Sequence, residues 1–510
     1  MKYHQYKPLD LRGFCVLLFL VIFVCNPGIS FSKDLNSSQK AFQNQLGKKS
    51  PDSGYFSSDK TKEVAQSNQN RRIEELENKL NTITEELKQL KSQKSLPDSR
   101  LDSIEEKLSV LAEEIDNIKQ DAVVTEHAYE QVFGAAPAAS KVYLQQKRGL
   151  SVGGYGELLV GQVRENGDNI VDNQRVVMYF GYKFTDRIIF NSEIEFEHAT
   201  TGTNQEGQSG SVSVEFALLD FLLYPEVNLR AGLLLAPFGI INEIHEPTTF
   251  FGVFRPAVET QIIPTTWREN GAGIFGNFDS QDFGTLNYRA YVMNSFDARG
   301  FRASNNRGLR IKGNRALFND VAFVSRVEYE PVPYIGIGGS IFLGNTGQNQ
   351  RVNDPGSPFN GDVVDGFFQM YEADFQVQYA GFEGRVLFVY TALANAAEIN
   401  ALNGLTGSNS VGDEQWGYYF VGGYNLLSLA NFNSQYLQYF APFIRWEQYD
   451  TQAQVPQGFE RDPANDRREL TVGINYKPIP NTVVKIDYQW KDNEADTENN
   501  QLNFGLGYVF

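Results

Sequence analysis

The chain has little cysteine, little histidine and no long apolar run. Its two cysteines, Cys15 and Cys25, both lie in one N-terminal stretch. Once that stretch is removed, neither a disulfide framework nor a thiolate metal site can be built. A membrane helix needs roughly 18 or more consecutive apolar residues, and the longest run is only Gly13–Cys25. A polytopic helical membrane protein is therefore excluded, and the composition excludes collagen and a fully disordered chain. Positive charge is scarce as well: 45 Lys and Arg against 62 Asp and Glu give −17. The N-terminal stretch carries Lys2, Lys7 and Arg12 against Asp10, so the remainder is more acidic still. Nucleic acid is not an expected partner of such a surface.

What is present divides into modules. Residues 1–32 have the three-part layout of a secretory signal: a basic start, the apolar run Gly13–Cys25, and small Ser30 and Ser32, with cleavage expected after Ser32. Cys25 does not make it a lipoprotein signal, because Val24 is bulky where a small residue is needed. Residues 33–69, rich in Ser, Gln, Asn and Lys, read as a disordered polar spacer. Residues 70–120 read as a coiled coil. Ile73, Leu76, Leu80, Ile83, Leu87 and Leu90 alternate in threes and fours, and Leu101, Ile104, Leu108, Leu111, Ile115 and Ile118 repeat the seam in phase. Glu86 with Lys91 and Glu114 with Lys119 fall at g and e, where parallel neighbours can pair. Pro97 interrupts the helix. A parallel bundle and an antiparallel hairpin turning at Pro97–Ser99 are both open, with the retained phase favouring the bundle. Mixed Ile and Leu at a and d suits three strands at least as well as two. Residues 121–148, with Gly134–Ala139 at their centre, read as a linker.

From Gly149 the period becomes two. Residues 1–148 hold 12 of the 67 aromatic side chains, so the region 149–510 holds the rest, including every Trp. Val176, Met178, Phe180, Tyr182 and Phe184 alternate with Arg175, Val177, Tyr179, Gly181 and Lys183. After the turn Thr185–Arg187, Ile188, Phe190, Ile194 and Phe196 alternate with Asn191, Glu193, Glu195 and Glu197. Such runs exceed the five or so residues of a soluble strand and match a tilted membrane strand. Connections alternate between short turns and long polar loops. The expected fold is an all-β membrane barrel of about 16 antiparallel strands over 149–510, following the α-helical coiled coil. An even count returns the C-terminus to the periplasm and places the coiled coil there. The chain ends on Leu502, Phe504, Leu506, Tyr508 and Phe510, a terminal alternation that barrel-assembly machinery reads.

These residues carry a resemblance. Gly153–Glu157, Asn191–Glu197, Arg230–Leu233, Ala236–Gly239, Pro264–Trp267 and Gly271–Gly273 resemble Gram-negative trimeric porins, most closely the phosphate-selective porin O and P type. The resemblance implies a passive diffusion channel for small hydrophilic solutes or ions, in the outer membrane, as a homotrimer in contact with outer-membrane lipid. Phosphate selectivity does not carry over, since it needs a basic pore. The expected lumen wall includes Glu193, Glu195, Glu197, Glu372 and Asp374 against Arg230 and Arg289, with Arg175, Arg326, Arg385 and Arg445 completing a partial counter-ladder. A mild cation preference or a neutral solute is expected.

The loop Gly239–Asn270 is unusually apolar, with Ile240, Ile241, Phe250, Phe251, Val253, Phe254, Ile262, Ile263 and Trp267. It either folds into the lumen or packs at a trimer interface or beneath other outer loops. If it folds inward, the expected constriction charges are Glu243, His245, Glu246, Arg255, Glu259 and Arg268. Asn242–Glu246 lacks the HExxH spacing, so His245 is expected as a loop histidine bonded to loop carbonyls, and no metal or other cofactor is expected. No P-loop or CxxC appears, and the GxSxG string at Gly149–Gly153 opens a run of period two and not a strand-to-helix turn, so an enzyme is not expected. The alternative to a channel is a structural tether or adhesin, with peptidoglycan or another periplasmic contact made through the coiled coil.

Overall fold

The computed structural model describes residues 131–164, 170–205, 207–280, 282–429 and 437–510. The signal, spacer and coiled-coil readings fall on residues outside these. The described residues from Gly149 onward form sixteen antiparallel strands closed into one barrel. The first hairpins are β1 (Gly149–Arg164) with β2 (Val171–Lys183), β3 (Ile188–Glu197) with β4 (Ser211–Tyr224), and β5 (Val227–Leu235) with β6 (Arg268–Ser280). Next come β7 (Gly284–Asn294), β8 (Val321–Val332), β9 (Ile335–Asn345), β10 (Phe367–Tyr379) and β11 (Phe382–Leu393). The wall continues with β12 (Glu414–Tyr424), β13 (Tyr439–Gln454), β14 (Asp466–Lys477), β15 (Thr482–Asn493) and β16 (Gln501–Val509). Every neighbour in sequence is a neighbour in the wall, and β1 pairs with β16 to close it.

The expected alternation of connections holds. Ala380 and Gly381 join β10 to β11 with φ of 51° and 91°, and Tyr379 pairs directly with Phe382. Two successive positive φ angles match the twist of the flanking strands, which is why a two-residue turn suffices. The opposite rim carries the long connections, among them 236–267, 295–320, 346–366 and 394–413.

Side-chain period fixes inside and outside. Leu229, Ile274, Val292, Ile337, Val386, Ile444, Val472 and Val484 face outward and are exposed. Near the short turns the outer face carries aromatic rings: Phe184, Tyr224, Phe278, Tyr334, Tyr379, Phe382, Tyr508 and Phe510. Phe196, Phe323, Phe367 and Trp490 form the matching exposed set toward the long loops. An apolar belt between two aromatic girdles is the exterior of a membrane-spanning barrel, since hydrocarbon accepts only closed, fully paired backbone.

The core is inside the barrel, made by segments folded into it. The third long connection, 236–267, crosses the lumen and includes α1 (Val258–Gln261); Phe238, Ile241, Val258, Ile262, Ile263 and Trp267 are fully buried. Toward the long-loop rim, Trp267 stacks on Phe296 at 4.7 Å, and Phe296 meets Phe342 at 4.9 Å. Loops 295–320 and 394–413 close over this cluster with Phe301, Leu309, Ile399 and Val411, all fully buried.

Residues 132–145, within the stretch 121–148 expected as a linker, are also seated in the lumen, against β1–β5 near the short turns. Ala136, Ala138, Ala139, Val142 and Tyr143 are buried. Small residues let this backbone lie flat on the wall, and the wall answers with its own glycines: a Cβ at Gly181 would stand 2.5 Å from Val142 Cβ.

Candidate functional site

The site is the lumen, and its chemistry is a wall of charges meeting an inward loop. Every inward arginine of the expected ladder has an acidic or carbonyl partner. On the β1–β3 wall Arg175 holds Glu157 at 2.8 Å and Glu195 at 3.2 Å. Arg230 of β5 holds Asp220 of β4 at 2.8 Å. Arg289 of β7 reaches Glu243 of the loop at 3.0 Å and Glu328 of β8 at 2.5 Å. Arg326 gathers Glu328, Glu372 and Asp374 at 3.0, 3.0 and 2.8 Å. Pairing across strands follows from the two-residue period, which places residues of adjacent strands side by side on one face.

On the far wall the cations serve a different purpose. Lys477 Nζ donates to Thr248 O at 2.9 Å, Arg385 Nη2 to Thr249 O at 2.7 Å, and Lys485 Nζ to Phe250 O at 3.0 Å. Arg445 Nη1 donates to Phe251 O at 3.1 Å and Phe254 O at 3.0 Å. A loop inside a barrel has backbone groups that must find partners, and four basic side chains of β11, β13, β14 and β15 supply them. Carboxylates meet the amides in turn: Val253 N donates to Asp487 at 2.6 Å and Val258 N to Glu447 at 3.2 Å. These contacts place the loop inside the barrel, the first of the two placements left open by the sequence.

The expected constriction charges all lie on this loop or at its end, in different surroundings. Glu243 pairs with Arg289 and faces a cavity of about 230 Å³, also lined by Phe133, Arg326, Glu328, Glu383 and Arg385. Glu246 Oε1 accepts the Ala138 amide at 2.9 Å, joining loop to N-terminal segment. Arg255 donates to His245 O at 3.3 Å. Glu259 accepts from the Tyr419 hydroxyl at 2.6 Å and from Ile241 N at 2.7 Å. Arg268 donates to Glu215 Oε1 at 2.8 Å. His245 Nδ1 lies 2.9 Å from Asn242 O, the expected loop carbonyl, while Nε2 faces Glu193 at 3.3 Å and Glu215 at 3.1 Å. Glu193, Glu195, Glu197, Glu372 and Asp374 all stand on the inward face of their strands, the first two and the last two buried.

Sequence reasoning missed Glu215 and the N-terminal segment. Glu215 points inward because the β3–β4 register shifts between Glu193 and Ile194, which sets Glu215 and Phe216 on the same side. The segment's signals were its run of small residues and Tyr143, whose hydroxyl donates to Asp220 Oδ2 at 2.8 Å.

A protein of Aquifex aeolicus (strain VF5), itself described only as uncharacterized, is 36% identical over 397 residues, covering 76% of this chain and 86% of its own. The chain belongs to its family. No profile of any described family matches it. Among solved structures, this chain is similar to OmpF of Salmonella typhi in complex with daunomycin, at 14% identity, over 71% of this chain and 98% of that one, with a TM-score of 0.45. The outer membrane channel DcaP of Acinetobacter baumannii is 11% identical over 71% of this chain and 97% of its own, with a TM-score of 0.43. An anion-selective porin of Comamonas acidovorans is 9% identical over 71% and 100%, also at 0.43.

Proposed function

We propose that the protein is a narrow outer-membrane channel through which small hydrophilic solutes or ions diffuse passively. The observation that carries this is the pairing of an apolar outer belt with a charge-lined lumen narrowed by the loop 236–267. A wall that only had to be filled would need no buried charge, since isolated ions are costly to desolvate. The open volume beside Glu243 carries Glu328, Glu330 and Glu383 against Arg289, Arg326 and Arg385. So balanced a lining suits a neutral solute or a mild cation preference and does not suit an anion. Within this reading the chain is exported by residues 1–32 to the outer membrane of a Gram-negative bacterium. Residues 70–120 form a periplasmic coiled coil that holds a homotrimer and reaches toward peptidoglycan, and the barrel is of the porin O and P type without its phosphate selectivity. Conductance in planar bilayers tests it: stable open steps are expected, reduced toward anions relative to cations, and Glu243→Lys is expected to move the preference toward anions.

A second reading is favoured by a specific observation. The β1–β5 side of the lumen is filled by the N-terminal segment and the loop together, which suits a tether or adhesin whose barrel is only an anchor. Silence in the bilayer from correctly folded protein would select it.

A further inference from the structure

Of the two histidines among the described residues, His198 is exposed and His245 is buried. The partner of His245 Nδ1 is the Asn242 carbonyl, which only accepts, so Nδ1 carries a proton. Nε2 then faces two carboxylates at 3.1 and 3.3 Å. Glu215 has already committed Oε1, which accepts from Thr266 Oγ1 and Arg268 Nη1, both at 2.8 Å, and its Oε2 is left toward the imidazole. Glu193 is fully buried, and Tyr155 donates to its Oε1 at 3.3 Å. Its Oε2 has no hydrogen-bond partner. Among the described ion pairs no Arg or Lys reaches Glu193, because Arg175 is taken by Glu157 and Glu195. A fully buried carboxylate oxygen without a partner, next to an imidazole nitrogen and a second carboxylate, calls for positive charge, which a bound metal ion or a protonated imidazole supplies.

We propose that Glu193, Glu215 and His245 bind one divalent transition-metal ion. The three side chains offer ligand atoms all within 4.8 Å of one another. Tetrahedral arms of about 2.0–2.2 Å put ligand atoms roughly 3.3–3.6 Å apart, close to the separations from Nε2 to the two carboxylates. One imidazole with two carboxylates suits zinc, manganese, iron or cobalt better than calcium or magnesium, which take oxygen ligands alone. The supporting contacts are those such a centre needs: the Asn242 carbonyl orients the imidazole, Arg268 and Thr266 fix Glu215, and Tyr155 steadies Glu193. Glu193 belongs to β3, Glu215 to β4 and His245 to the inward loop, so the ion ties loop to wall. The inference goes beyond the channel reading, and its test is read without conductance.

The test uses the full chain, purified in detergent, stripped with chelator and dialysed against Zn²⁺ or Co²⁺. Elemental analysis is expected to find one Zn²⁺ per chain, and Co²⁺ to give the intense visible bands of low coordination with nitrogen and oxygen donors. His245→Gln and Glu193→Gln are each expected to abolish both signals while keeping heat-modifiable migration in gels, and His198→Gln to keep them. Glu193→Gln serves as the second variant should the loop substitution impair folding. Zn²⁺ uptake by the wild type no greater than by folded Glu193→Gln overturns the proposal; the imidazole would then be protonated and simply ion-paired with both carboxylates.

Discussion

Glu246 of the inward loop accepts the backbone amide of Ala138, 108 residues earlier, at 2.9 Å. That bond makes the loop and the N-terminal segment one internal body resting on the β1–β5 wall. One of its attachments toward the other end is the Tyr143 hydroxyl on Asp220. Tyr143→Phe removes a hydrogen bond to a charged acceptor, worth about 1.5–3 kcal/mol. Amide hydrogens of Ser140–Gln145 should exchange correspondingly faster, with the barrel strands unchanged; equal protection in both proteins would mean the segment is held by its other contacts, among them Asn191 Nδ2 to Ala139 O and Lys183 Nζ to Gln145 O, both at 2.9 Å.

Removing Thr248–Gln261 should raise single-channel conductance several-fold. A barrel of about sixteen strands leaves an aqueous lumen when nothing crosses it, and this span contains the backbone that Arg385, Arg445, Lys477 and Lys485 hold against the far wall. The deletion protein must first show heat-modifiable migration, and unaltered conductance from it would place the conducting path elsewhere.

Arg326 is buried to 1% exposure among Glu328, Glu372 and Asp374. Arg326→Gln leaves buried carboxylates unpaired, and breaking a buried pair from one side costs about 3–5 kcal/mol. The temperature at which the folded gel band converts to the unfolded one should fall clearly. Arg299→Gln, whose partner Asp297 sits on an outer loop and whose own side chain is mostly exposed, should leave it unmoved.

Phe510 donates its amide to Gly154 O at 2.8 Å and accepts from Gly154 N at 2.9 Å. Deleting Phe510 should lower the yield of assembled barrel without reducing export. Separate assays of periplasmic and membrane-inserted protein distinguish the two.

The strands were legible because a barrel wall imposes one physical rule, apolar outward and anything tolerable inward, on every second residue. That rule makes Val176–Phe184 and Ile188–Phe196 readable without any partner in view. The loop was legible for a related reason: Ile240, Phe250, Phe251 and Ile262 could not face water in such number. The N-terminal segment was not, since Gly134–Ala139 has the composition of a spacer and its burial depends on glycines in a different part of the chain, such as Gly181. The company of His245 was hidden more deeply. Glu193 and Glu215 reach it from two strands, and the second does so only through a register shift that no periodicity announces.

The seating of residues 132–145 also has a direction. Gln146–Arg148, just before the wall begins at Gly149, are exposed at the short-turn rim, where Arg148 meets Asp186, while Ala136–Ser140, Val142 and Tyr143 lie buried inside. A finished cylinder offers entry only at its rims, and the long-loop rim is roofed by the cluster around Trp267 and Phe296. The N-terminal segment is therefore reached from the short-turn rim, on the side where Gly154 of β1 exchanges backbone hydrogen bonds with Phe510.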